Sequence, residues 1–193
     1  VQNLAKLFNE QITFLLRRKY LVQHLNPYLK NVNNVLDLGA SCGRLSSELS
    51  EKLPHIDIIG IDTHVQSTTF IPIIKYDGKK IPYPDNTFDC VMMIDVIHHI
   101  ENPEIVLEEA KRITRKYILI KDHYWINKLD LALLKFADYI GNKPYEIDLP
   151  YHFLKIADWI ELISNLNLKT INIEKFRFNM MDPCRHIIIH LEK

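Results

Sequence analysis

The strongest constraint on the fold is a rhythm. Short apolar runs of strand length alternate with longer stretches of helical spacing along most of the chain. Val1 to Leu29 carries Leu4, Phe8, Ile12, Leu15, Leu16 and Leu25 at helical spacing, with Pro27 near the end, which predicts one or two helices. Val35 to Leu38 reads as a buried strand ending at Gly39. Leu45, Leu49 and Leu53 then form a helix face that Pro54 closes. Ile56 to Ile61, ending at Asp62, is a second strand. Phe70 to Tyr76 is a third, where Pro72 suggests an edge position or a late start. Pro82, Pro84, Asp85 and Asn86 make a turn-rich loop before a fourth strand, Phe88 to Ile94.

The second half continues the alternation. Asn102-Pro103 looks like a cap followed by proline at the first helical position, opening a helix to about Thr114. Tyr117 to Lys121 is a fifth strand. Asn127 to Ile140 places Leu129, Leu133, Phe136 and Ile140 on one face, with Gly141 as a stop. Phe153 to Asn165 is a further helix. Leu168 to Phe176 and His186 to Leu191 are the last two strands, turning around Asp182-Pro183. Only Arg177 to Arg185 separates them, too short for a parallel crossover, so they form an antiparallel hairpin. The expected fold is α/β: a doubly wound, mostly parallel seven-stranded sheet closed by a C-terminal antiparallel hairpin. One link departs from the pattern. Thr63 to Thr69 is too short to hold the usual helix between the second and third strands.

Composition narrows the class. The chain has 193 residues, 47% hydrophobic and 25% charged, which fits one soluble globular domain. Lys+Arg and Asp+Glu are both 24, so no general basic surface advertises a nucleic-acid partner. No apolar run reaches membrane-spanning length, and no membrane partner is expected. Val1 to Glu10 mixes polar and apolar residues, unlike a secretory signal, and a start without Met suggests a trimmed leader. Cys42, Cys90 and Cys184 form no CxxC pair. They indicate a reducing, cytoplasmic setting.

The chemistry-bearing loop follows the first strand: Asp37-Leu38-Gly39-Ala40-Ser41-Cys42-Gly43. Glycines at such a place let the backbone turn sharply and approach a ligand. A dinucleotide loop, G-x-G-x-x-G, would need glycine at 41 and 44, where Ser41 and Arg44 stand. The run instead resembles the first motif of class I S-adenosylmethionine-dependent methyltransferases, an acidic residue followed by G-x-G-x-G. Asp37 matches the acidic position, Gly39 and Gly43 the outer glycines, and Ser41 replaces the middle one.

Three further stretches resemble that family in order. Asp62 ends the second strand, where an acidic side chain accepts from both ribose hydroxyls. Tyr76-Asp77-Gly78 with Ile81 to Val91 resembles the family's D-(A/G)-x-x-L-P-F-x-D-x-x-F-D-x-V stretch, and the resemblance gives Asp77 the adenine amino group. Asp95 to Pro103 resembles its L-x-H-(V/I)-x-D/N-P signature. The resemblance is close over about 33 to 121, nearest to the small-molecule branch typified by ubiquinone and menaquinone biosynthesis enzymes. It implies S-adenosylmethionine as cofactor, with Asp37, Gly39, Ser41, Gly43, Asp62, Asp77, Gly78 and Asp95 around it. The whole chain is then one methyltransferase domain, with 1–30 as a helical cap and 124–151 as an inserted substrate cover.

For catalysis, the strand ends offer His98, His99 and His123. His98 and His123 are the candidate general bases, whereas His99 is expected to pack under the following helix. Asp95, His98, His99, Asp122 and His123 could be imagined as a metal centre. They lack an H-x-x-x-H or cysteine set, and no metal is expected. Tyr124, Tyr151 and His152, with Trp125, Tyr139 and Tyr145, are candidates for a substrate pocket, and Tyr20 and Arg17 for a cofactor cover. The expected reaction is methyl transfer to a small, apolar or aromatic acceptor. Two alternatives stand beside it: an RNA or protein methyltransferase, and a non-catalytic binding module. The (D/N/S)-P-P-(Y/F) signature of amino-nucleobase methylation is replaced here by Asp95-Val96-Ile97-His98.

Overall fold

The computed structural model describes residues 2–142, 150–180 and 182–193. Helix α1 (Gln2–Leu29) precedes β1 (Asn34–Leu38), α2 (Arg44–Lys52), β2 (Asp57–Asp62), β3 (Ile73–Lys75) and β4 (Phe88–Ile94). A 3-10 turn (Ile97–His99) leads to α3 (Pro103–Ile113), β5 (Thr114–Trp125) and α4 (Lys128–Asn142). Then come β6 (Leu154–Lys155), α5 (Ile156–Asn165), β7 (Lys169–Phe176) and β8 (His186–Glu192). The strands lie in the order β3-β2-β1-β4-β5-β8-β7, and β6 pairs with the end of β5. β1 to β5 are mutually parallel; β8 runs antiparallel to both β5 and β7. The short separation of the last two strands forces that reversal, as the chain pattern implies.

Side-chain alternation sorts the core into two layers. Leu36, Leu38, Val91, Met93, Ile118 and Ile120 point to the face covered by α3 and α5. Val35, Cys90, Met92 and Leu119 point the other way, against Leu21, Val22, Leu25 and Leu29 of α1 and Leu49 of α2. A central parallel strand buries both faces, which is why β1 is buried at every position after Asn34. The α1 residues recur at helical spacing, so one stripe of the helix is spent on the sheet. Pro27 lies inside α1 but close to its end, where few backbone bonds remain to be lost.

Three elements differ from the sequence expectation. β5 is twelve residues long rather than five. It leaves α3 without a loop and continues through Lys121, Asp122, His123 and Tyr124. Lys121 is paired on both sides, by β4 and β8, while β8 alone carries Asp122 and His123 and β6 takes Tyr124, so the ladder holds polar side chains that sequence alone marks as a strand end. α4 turns its expected apolar face outward: Leu129, Phe136 and Ile140 are exposed. The inward stripe is Asp130, Leu134 and Asp138, four residues apart. Asp130 fixes that orientation by accepting from the Ile126 amide at 3.1 Å and from Arg185 at 3.0 Å. The third strand shrinks to three residues at the sheet edge, and no helix occupies the link from Thr63 to Pro72. No helix among the described residues is long and apolar enough to cross a membrane.

Candidate active site

The loop from Gly39 to Gly43 leaves the C-terminal end of β1. Gly39, Ser41 and Gly43 all have positive φ, at 79°, 52° and 72°. A side chain on Gly39 would strike Val96 at 2.5 Å, and one on Gly43 would strike Ile71 at 2.4 Å. Both glycines are therefore demanded by the protein's own packing as well as by backbone conformation. Ser41 takes the left-handed conformation with a Cβ attached, which costs about 1–2 kcal/mol. Its amide is held by Asp62, whose carboxylate accepts from Ser41 N–H at 2.7 Å and from His64 N–H at 2.8 Å. Asp77 closes a turn by accepting from the amides of Lys79 and Lys80 at 2.9 and 3.2 Å. Those amides hold its carboxyl below the ordinary range.

A cavity of about 590 Å³ opens at the strand ends, within the size range of small-ligand sites. Gly39, Ala40, Ser41 and Cys42 form one end, with Gln66, Ser67 and Thr68 of the helix-free link. Asp37, Ile94 and Asp95 lie on its wall from β1 and from β4 and its end. His98, His99, His123, Asp138 and Phe153 line it farther on, and Arg17 and Arg18 reach it from α1. Gly43, Asp62, Asp77 and Gly78 do not line it. Tyr124 lies on the α5 side of the sheet, lining a separate 490 Å³ cavity with Lys175 and Arg177. Tyr151 packs in a small cluster with Leu134, Phe153 and Cys184. His152 braces the turn after β4, its amide donating to His98 O at 3.1 Å and its ring meeting Ile100 O at 3.0 Å. Tyr20 stacks on His24 rather than facing the cavity. Tyr145 lies outside the described residues.

The electrostatics of the far end come from a Lys-Asp-His string on β5. Lys121 is fully buried and paired with Asp95. Burial lowers its pKa, and Asp95 opposes that shift. Asp95 also meets Arg17 at 3.4 Å and His123 Nδ1 at 3.3 Å. Burial would raise its carboxyl, but Lys121, His123 and Arg17 together hold it well below the usual range. Burial and the nearby Lys121 push His123 down to about 4, so its imidazole is uncharged at neutral pH. His98 behaves in the opposite way. Burial works against its charge, yet Asp122, 2.6 Å from Nδ1, carries it up to about 10. Asp37 is buried and takes the Ser46 hydroxyl; among the described residues no ion pair reaches it. Desolvation raises it to about 7.

The structure thus brings Asp37, Gly39, Ser41, Asp95, His98 and His123 to one cavity. Sequence reasoning missed Lys121, Asp138 and Phe153. Phe153 stacks on the His98 ring at 4.8 Å between centroids and 16° between planes. Asp138 carried no local signal, because its helix reads as apolar on another face. A lysine directly after the apolar run Tyr117–Ile120 was a usable signal, since a buried ammonium needs a carboxylate nearby.

A family model described as a methyltransferase domain matches residues 36–117. That match, together with relatives and solved structures named as methyltransferases, supports reading the chain as a class I S-adenosylmethionine-dependent methyltransferase. A ubiquinone/menaquinone biosynthesis C-methyltransferase of Burkholderia orbicola is 28% identical to this chain over 128 residues, 56% of the chain and 53% of the relative. A tRNA (carboxymethyluridine(34)-5-O)-methyltransferase of Schizosaccharomyces pombe is 27% identical over 85 residues, 42% of the chain and 37% of the relative. The chain therefore spans about half, or less, of the length of those relatives. A S-adenosylmethionine-dependent methyltransferase from Archaeoglobus fulgidus shares the fold, with a TM-score of 0.68 at 20% identity, covering 91% of this chain and 94% of that one.

The donor set fits the family's cofactor. Asp37, a buried carboxyl that no cation reaches among the described residues, stands on the cavity wall beside a loop of left-handed residues. A ligand carrying a sulfonium and an ammonium supplies the positive charge that such a carboxylate lacks.

Proposed function

We propose that this methyltransferase binds S-adenosylmethionine along the Gly39–Gly43 loop and methylates a small, largely apolar or aromatic acceptor at the histidine-lined end of the same cavity. The observation that carries the reading is the continuity of that cavity, from Ser41 and Asp37 to His123 and Phe153. Asp62 keeps a lone pair free on each oxygen after accepting the Ser41 and His64 amides, enough for two ribose hydroxyls. Asp77 and Gly78 would face the adenine, and Asp95 would border the methionine part. The cofactor supplies an electrophilic methyl group. Phe153 offers an aromatic wall for the acceptor, and Tyr151 supports it from behind. His123, uncharged and on the cavity, takes the acceptor's proton; His98, held by Asp122, orients the site. Helix α1 acts as a cap through Arg17 and Arg18, and 124–151 as a cover through α4. The working setting is the cytoplasm.

The cofactor reading is checked by calorimetric titration with S-adenosylmethionine and its demethylated product, with micromolar-order affinity expected. Absence of heat at millimolar cofactor would support the non-catalytic alternative. The acceptor reading is checked with labelled cofactor in fractionated extract. Label in tRNA or protein, and in no small-molecule fraction, would refute it. Replacing His123 by Ala should lower turnover on the order of 10²-fold while leaving cofactor affinity nearly intact.

A further inference from the structure

At the far end of the cavity, His98, His99 and Asp138 turn one donor atom each toward a common point. His98 Nε2 lies 3.7 Å and His99 Nε2 3.9 Å from Asp138 Oδ1, and all three atoms fall within 4.8 Å of one another. Two bonds of about 2.1 Å at a tetrahedral centre set their donors about 3.4 Å apart, so each histidine nitrogen lies within roughly half an ångström of the bonding separation from Asp138 Oδ1. We propose that His98, His99 and Asp138 form a binding site for a divalent first-row transition cation, two imidazoles and one carboxylate with open positions facing the cavity.

The surroundings of His98 support this beyond the three donors. Asp122, fully buried, sits 2.6 Å from His98 Nδ1 and also accepts from the His98 amide at 3.3 Å. That fixes Nδ1 as the inward donor and leaves Nε2 directed at Asp138. A carboxylate behind a histidine ligand is the usual outer support of a metal site, because it sets the tautomer and ring orientation. Phe153 lies flat on the same ring and prevents it from turning. The His152 amide holds the His98 carbonyl, so the turn that carries both histidines is anchored as well. The alternative set of His98, Asp122 and His123 is a poorer candidate. Its closest nitrogen and oxygen are 2.6 Å apart, a hydrogen bond with no room for an ion between them. Donors of nitrogen and oxygen in this ratio suit zinc, iron, cobalt or manganese rather than calcium or magnesium.

All three side chains line the 590 Å³ cavity. On the methyl-transfer reading, on which this consequence alone rests, the open positions would hold an oxygen of the acceptor. Cation binding itself is independent of that reading.

The test uses the full chain, stripped with a chelator and titrated with Co²⁺, followed by visible absorption and calorimetry. One equivalent is expected to bind, with the absorption of a nitrogen-containing coordination shell. Because His98 is buried against Asp122, the variants are His99→Gln and Asp138→Asn, each checked for native circular dichroism. Each should weaken binding by about tenfold or more. His55→Gln, at an exposed histidine outside the cavity, should bind as the wild type does. Absence of Co²⁺ uptake at millimolar concentration, or wild-type affinity in either His99→Gln or Asp138→Asn, overturns the site. Intact Co²⁺ binding in a protein that takes no S-adenosylmethionine overturns the methyl-transfer reading instead.

Discussion

Asp37→Asn is expected to stabilise the protein without cofactor and weaken its hold on cofactor. Asp37 is buried, with a pKa raised from 3.8 to about 7, first by desolvation and then by the nearby Asp62, against the favourable Ser46 hydrogen bond. The folded state therefore holds the Asp37 proton more tightly than the unfolded chain does. Stability from this group is fully present below about pH 4 and is lost as pH rises to about 7. Three units correspond to about 4 kcal/mol, less about 1 kcal/mol if the amide accepts more weakly from Ser46. Asparagine has nearly the same shape and never ionises. Urea unfolding of wild type and variant at pH 4.5 and pH 8 should show near equality at the lower pH. At the higher pH the variant should lead by about 2–4 kcal/mol. Comparing the two proteins at each pH cancels every other titrating group. The same variant should bind S-adenosylmethionine at least tenfold more weakly, because the carboxylate that burial penalises is the one a cationic ligand would neutralise. A variant less stable than wild type at pH 8, or a difference that does not grow with pH, refutes the reasoning.

Ser41→Gly removes a Cβ from a residue at φ 52° while keeping the amide bonded to Asp62, so thermal unfolding should show no loss and a gain of up to about 1 kcal/mol. Cofactor affinity should be retained or improved; a clear loss would assign the hydroxyl a contact of its own. Asp62→Ala frees two backbone amides and removes the proposed ribose acceptor. Calorimetry should show cofactor binding weaker by about 1.5–3 kcal/mol, and unchanged binding would leave Asp62 as a turn residue only. Leu25→Ala, at a fully buried position of α1, should cost about 2–5 kcal/mol in urea unfolding; a cost near zero would mean that the helix is not part of the core.

Local chemistry was enough to place most of the fold. Strand and helix positions followed from apolar spacing. The hairpin of β7 and β8 followed from the few residues between them, and the loop after β1 from its glycines. The missing helix between β2 and β3 was likewise a matter of counting residues. The ends of elements were less legible. β5 continues through Lys121, Asp122 and His123 because β8 keeps pairing with it beyond the end of β4, and a sequence does not show its neighbours. The outward turn of Leu129, Phe136 and Ile140 had the same origin, since contacts of Asp130 with Arg185, fifty-five residues away, set the face of α4.

Within the site, residue types were determined by sequence, and their charges were determined only by folding. His98 and His123 are both histidines near strand ends, and no local pattern separates them. Asp122 against the His98 ring raises one pKa to about 10, whereas burial beside Lys121 lowers the other to about 4. Asp138 joins His98 and His99 from forty residues further along the chain. Sequence fixes which groups a chain possesses and how its nearest neighbours pair; the field and the dryness around each group are sums over residues distant in the chain, and those exist only once the sheet and its helices have closed.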